Sequence, residues 1–338
     1  MTSTSTASSA DGLTAVGPRG NRPAPRASTA DGASPARPGR RRRRGGEGFL
    51  VRYAFIAPAV LYLLLFYGYP IVKNVVMSFQ AYDFSTFFNG SAPFVGLDNY
   101  ATALSNPIFL KALANTGLFT VGSIIGQFVI GLGLSLYFRK HFPLSGVLRS
   151  LLLLPWLLPM IVSAAVWRWI LEQDSGVLNR FLESIGLISA PIGWLTSSDT
   201  ALVAVIMVNI WLGIPFNVAL LYSGLQAIPE ELYEAGQLDG ATGWKSFRHI
   251  TLPLLRPVVS VVLLLGVIYT IKVLDLIIGL TGGGPANATQ TLATRSYELS
   301  FLEFDFGQGA ALSNVLILIA LLFSVVYLRA NARAAKNG

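Results

Sequence analysis

Residues 200–278 read TALVAVIMVNIWLGIPFNVALLYSGLQAIPEELYEAGQLDGATGWKSFRHITLPLLRPVVSVVLLLGVIYTIKVLDLII. Two apolar runs, 200–224 and 257–278, enclose a polar stretch, 226–256. An α-helix rises about 1.5 Å per residue and the hydrocarbon core of a bilayer is about 30 Å thick, so about 20 apolar residues are enough to cross it. Both runs have that length. Only the second is interrupted, by Lys272 and Asp275 near its end, which leaves 257–271 free of charge. A bilayer offers no water to bare backbone groups, so runs of this kind cross as helices. The stretch predicts two membrane helices joined by a water-exposed loop, and with them an all-α, polytopic membrane fold.

Four more runs qualify, 53–72, 112–138, 150–167 and 306–328, giving six transmembrane helices. Of 338 residues 53% are hydrophobic and 12% charged, against about 25% charged in soluble domains. The absence of cysteine excludes a disulfide framework, a thiolate zinc site and a catalytic thiol. The net charge of +8 does not point to nucleic acid, because its placement follows topology. Lys and Arg collect in cytoplasmic segments. With the N-terminus inside, only Lys73, Lys111, Arg168, Arg180, Lys272 and Arg295 fall outside or within the membrane, so both termini are expected in the cytoplasm.

Residues 1–48, rich in Ser, Ala, Pro and Arg and including Arg40 to Arg44, hold too few large apolar side chains to offset ordering. They are expected to form a disordered basic cytoplasmic tail. A signal peptide fits less well, because the basic run lies far from the N-terminus and the apolar run after it is too long. Residues 49–330 form the transmembrane domain and 331–338 a short cytoplasmic tail. On the outside, 80–107 reads as an irregular loop. Val177, Leu178, Phe181, Leu182 and Ile185 predict a short helix on the membrane surface.

In the loop 226–256, Pro229 stands where a helix starts, and Glu230 and Glu231 face the positive end of its dipole. This helix should run to about Asp239 and stop at Gly240. Thr242 can cap a second helix through Phe247 and His249, ended by Pro253. The pair would make a protruding elbow. Glu234-Ala235-Gly236, then Gly240, then Ile250, Leu252 and Pro253 reproduce the spacing EAA, three residues, G, nine residues, I, one residue, LP. That pattern resembles the EAA loop of permeases from binding-protein-dependent ABC importers. Gly236 departs from it, standing where the pattern has Ala. Gly282-Gly283-Gly284-Pro285, Asp305-Phe306-Gly307 and the stretch 94–100, FVGLDNY, extend the resemblance to the carbohydrate-uptake, maltose-type branch.

The resemblance implies a multi-pass permease of the bacterial inner membrane and half of a translocation path. It implies a second homologous permease, two ATPase subunits that bind ATP and Mg, and an extracytoplasmic solute-binding protein. It implies that the elbow docks on an ATPase, with Glu234, Ala235, Gly236, Asp239, Gly240, Ile250, Leu252 and Pro253 as coupling residues. No P-loop occurs in the chain itself, which is therefore expected to be no enzyme and to hold no cofactor or metal. The competing reading of the loop is a plain solvated connection.

A sugar path needs hydrogen-bonding groups and aromatic faces between spans. Asn209, Trp211, Phe216, Asn217, Tyr269, Thr270, Lys272 and Asp275 supply them, and Lys272 and Asp275, three apart, can pair on one helix face. Similarity to the maltose-type permease adds Leu212, Gly213, Gly266 and Val273, by counting from Glu234. The alternatives are interhelical packing for the aromatics and a snorkelling position for the two charges. A glycerol 3-phosphate or polyol importer remains an alternative cargo. A polytopic enzyme would need catalytic groups that are not evident, the histidines being only His141 and His249, and a stand-alone carrier or channel would not need the elbow.

Overall fold

A computed structural model describes residues 47–140 and 142–337, with side-chain surroundings for 53–140 and 142–333. Nearly all of the expected basic tail, Arg40 to Arg44 included, and His141 lie outside the described residues. The chain divides into two compact units, residues 1–58 and 59–338. The described part of the first is the opening of α1 (Glu47–Leu63).

In the second unit a π-helical turn, Leu64–Gly68, leads into α2 (Tyr69–Met77). There follow α3 (Phe84–Asn89), α4 (Asp98–Ser105), α5 (Pro107–Phe138), α6 (Ser145–Leu152), α7 (Leu154–Leu157), α8 (Met160–Ile170) and α9 (Val177–Ser184). The rest are α10 (Ala201–Gln226), α11 (Glu231–Leu238), α12 (Trp244–Ser246), a second π turn (Phe247–Thr251), α13 (Leu252–Thr270), α14 (Asp275–Leu280), α15 (Leu292–Phe301) and α16 (Phe306–Asn337). Among the described residues there is no strand, only two isolated bridges.

Five helical stretches are long and apolar enough to cross a membrane: Tyr53–Met77, Pro107–Phe138, Ala201–Gln226, Trp244–Thr270 and Phe306–Arg333. The expected straight span at 150–167 is instead a broken pair, Ser145–Leu157 and Met160–Ile170, bent by 99°. Pro159 causes the break: the residue before a proline is pushed out of the α region, and Leu158 is extended at ψ 138. The pair makes a sixth crossing if counted as one span.

Span five ends earlier than the sequence suggested. Its helix ends at Thr270, and α14 starts only at Asp275. Between them the chain turns so that Val273, Leu276 and Ile277 enter a core with Phe119, Ala164, Leu171 and Val208. The 80–107 segment, expected to be irregular, is not, because local caps order it. Asp83 and Thr86 form a capping box at the start of α3, and Asn106 accepts from the Ile108 N–H to open α5. The Asp83 carboxyl is held below its ordinary pKa by the Thr86 backbone N–H and the Ser85 hydroxyl.

α5 and α10 form the centre of the bundle. A side chain at Gly126 would meet Ile210 at 2.3 Å and one at Gly131 would meet Asn217 at 2.7 Å, so glycine lets these backbones approach closely. Polar residues on α5 turn inward. The Gln127 amide donates to the Asn209 carbonyl at 2.9 Å, and Ser135 donates to the Gly131 carbonyl at 2.6 Å. In a bilayer, such groups face the bundle interior.

At the other end of α5 from the elbow, Lys111 donates to the Ala286 carbonyl at 2.7 Å and Asn115 to that of Gln290 at 2.9 Å. Asn99 and Tyr100 in FVGLDNY join the ends of the first and last spans: Asn99 donates to the Ser78 and Gln80 carbonyls, and Tyr100 contacts Ser78 and Asn314. Arg295, ion-paired with Glu298 and Glu303, is partly desolvated, yet hydrogen bonds to those carboxylates raise its pKa further.

Candidate functional site: a coupling elbow and an aromatic cavity

The elbow follows from local backbone chemistry. α11 starts directly after Glu230 and ends at Leu238, with Asp239 as its C-cap, and Gly240 then takes φ 76, a left-handed conformation that costs other residues about 1–2 kcal/mol. The Ala241 N–H then bonds back to the Gly236 carbonyl at 2.7 Å. Gly236, the departure from the EAA pattern, has a packing reason: a Cβ there would lie 2.6 Å from Ile250 Cδ1, so the isoleucine of the same motif occupies the vacated space.

The second elbow helix departs from expectation at both ends. Gly243, not Thr242, precedes it, with no side-chain cap. Pro253 does not end it: the π turn Phe247–Thr251 just before it shifts the register, and α13 carries the helix on past the proline. Trp244–Thr270 is thus one helix of 27 residues, about 40 Å long, with the elbow at one end and Tyr269 and Thr270 at the other.

Two contacts of Tyr233 hold the elbow. The Arg139 guanidinium, at the end of α5, lies 3.8 Å from the Tyr233 ring centre, and the Tyr233 hydroxyl meets that of Thr251 at 3.0 Å. On the outer surface Glu234, Ala235, Asp239 and Gly240 are exposed, whereas Ile250, Leu252 and Pro253 are half-buried. Sequence reasoning missed two apolar side chains here, Leu238 at 91% exposure and Trp244 at 71%. Their signal was present, since both sit in a polar loop with no helical stripe to join.

A cavity of about 550 Å³ opens among α7, α8, α10, α13 and the break before α14, a size that fits small-molecule sites. Leu212, Gly213, Phe216, Gly266, Tyr269, Thr270, Lys272, Val273 and Asp275 all line it. Asn217 does not: it is buried against Gly131, and its amide donates to the Gly213 carbonyl at 2.9 Å. Gln127, Trp156 and Met160, which the sequence reading did not place, join from α5, α7 and α8. Trp156, Phe216 and Tyr269 form a connected aromatic row, with ring centres 6.2 and 6.0 Å apart. Asn209 lies at the wall, and its side-chain N–H group is buried without a partner. Trp211 instead stacks edge-on with Trp167 at 5.5 Å.

Lys272 and Asp275 do not pair. The helix ends between them, no ion pair joins them, and the Lys272 ammonium lies over the Tyr269 ring, 5.4 Å from its centre. Both charges are exposed on the cavity wall. Such a wall offers stacking faces, an unsatisfied amide and charges of both signs, a set suited to a polar, ring-bearing solute.

A bundle of membrane-length helices with a cavity between them is the fold of a polytopic membrane protein. Residues 127–336 match the family described as binding-protein-dependent transport system inner membrane component, and the chain belongs to that family of ABC-transporter permeases. It is 35% identical over 277 residues to the trehalose/maltose transport system permease protein of Thermococcus litoralis, covering 82% of this chain and 92% of that one. It is 34% identical over 280 residues to the sulfoquinovosyl glycerol transport system permease protein of Agrobacterium fabrum, covering 83% and 90%. Its fold resembles a solved bacterial ABC transporter involved in import of the acidic polysaccharide alginate, at TM-score 0.73 and 23% identity, covering 84% and 96%.

Proposed function

We propose that this chain is one of two permease subunits of an ATP-driven importer in a bacterial inner membrane, with both termini cytoplasmic, and that it forms half the path of a sugar or oligosaccharide. The observation that carries the reading is the cavity: an aromatic row beside buried amides, the groups that stack and hydrogen-bond a sugar. Relatives named for trehalose/maltose and sulfoquinovosyl glycerol transport support the same class of solute.

In this reading an external binding protein delivers the solute, and the elbow docks in a partner ATPase that binds ATP and Mg. Closure of the ATPase pair moves the elbow. Because the elbow continues into the helix Trp244–Thr270, the movement reaches Tyr269 and Thr270 and reshapes the cavity, giving alternating access. The unpaired Lys272 favours a second reading, a solute with an anionic group such as glycerol 3-phosphate.

Reconstitution with the second permease and the ATPase tests this directly. ATP hydrolysis should rise when a sugar-loaded binding protein is added, and a cysteine at position 245 should resist an impermeant external label in intact cells. Labelling of that position from outside would overturn the orientation. Stimulation by glycerol 3-phosphate and not by sugars would select the second reading.

A further inference from the structure

We propose that an aromatic cluster built on α3 is a foot that seats this chain in the lipid headgroup region, on the side of the bundle opposite the elbow. α3 is amphipathic over two turns: Phe84, Phe87 and Phe88 recur at helical spacing, while Ser85 and Thr86 belong to the polar cap with Asp83. Phe84 packs edge-on against Phe88 at 5.1 Å and against Phe304 at 5.4 Å. The cluster is nevertheless open, with Phe88 71% and Phe84 56% exposed. Contiguous apolar surface of this kind is rarely left to water.

Three observations select lipid as the occupant. The cluster grows directly from the ends of two spans, since it follows α2 in the chain, and the Gly307 N–H at the start of α16 donates to the Tyr82 carbonyl at 2.8 Å. Lys73, within α2, sends its ammonium toward Tyr82, 5.5 Å from the ring centre, as a snorkelling lysine does at the level where hydrocarbon gives way to water. Tyr82 in turn lies edge-on to Phe87 at 6.5 Å, so the phenylalanines share that level. Finally, α3 itself contains no charged side chain, and the Asp83 carboxylate beside it is bound to the polar face. An apolar helix face at this height is the geometry of an interfacial anchor, buried roughly 5–10 Å into the headgroup boundary.

The absence of cysteine permits a direct test. Single variants Phe88→Cys and Ser85→Cys of the full chain are labelled with an environment-sensitive fluorophore in nanodiscs of phosphatidylethanolamine and phosphatidylglycerol. The label at 88 should be quenched by a nitroxide on the shallow acyl chain and severalfold less by aqueous iodide than the label at 85. Equal iodide quenching at both positions overturns the proposal. So does protection of position 88 that arises only when a binding protein is added, which would give the surface to that protein. Phe87→Cys repeats the test if Phe88→Cys fails to insert.

Discussion

The elbow and the cavity are built in opposite ways. The elbow is one contiguous stretch, closed by short-range bonds such as Ala241 to Gly236 and Gly240 to Gln237, and tied to the rest chiefly through Arg139 on Tyr233. The cavity has no local origin: Gln127, Trp156, Phe216 and Tyr269 come from four separate helices. A locally closed element moves as a body, whereas a space between helices changes whenever those helices shift. The helix Trp244–Thr270 joins the two, and in the proposed mechanism a movement of the elbow would travel along it to the cavity.

The largest effect that would break this comparison is a loss of coupling with the cavity left intact. Gly240 has open space around it but a backbone that other residues adopt with strain. Gly240→Trp should leave insertion unchanged while abolishing transport and solute-stimulated ATP hydrolysis together, as read in a reconstituted complex. Full stimulation would reduce the elbow to a connection. A smaller effect is expected at the other end. Tyr269→Ala removes the middle contact between Phe216 and Lys272, and loss of a stacking aromatic, 0.5–1.5 kcal/mol beyond its area, should weaken solute occupancy up to about tenfold. Complex yield should not change. Poor assembly with unchanged selectivity would assign Tyr269 to packing.

The same contrast explains what the sequence disclosed. Apolar runs long enough to cross a membrane depend only on length and composition, so the straight spans were legible. Turn chemistry placed α11 within about two residues, because Pro229, the glutamates and Gly240 act locally. What escaped depended on partners far away in sequence. Nothing near Asn217 shows that Gly131 lies against it, and nothing near Trp156 shows that Phe216 lies 6.2 Å away. Pro253 misled for a related reason: a proline commonly ends a helix, and the sequence does not show the π turn before it that lets the helix run on. The 99° break at Pro159 was locally encoded, in a proline inside an apolar run, and hydropathy alone passes over it.

The smallest expected effect concerns Lys272 and Asp275, and it sharpens the boundary between wall and scaffold. If the two were partners in a buried pair, removing one would strand the other and cost about 3–5 kcal/mol. In the structure each has a separate setting: Lys272 follows the C-terminal end of α13 and lies over Tyr269, whereas Asp275 occupies the first turn of α14, where the helix dipole favours an anion. Lys272→Gln and Asp275→Asn should therefore each leave complex yield and thermal stability nearly unchanged, and their effects should add. A double-mutant cycle on thermal stability is expected to give a coupling of about 0.5 kcal/mol or less, the range of independent sites. A coupling well above about 1 kcal/mol would mean that the charges meet in the working transporter, and the cavity would lose both as groups free to contact a solute.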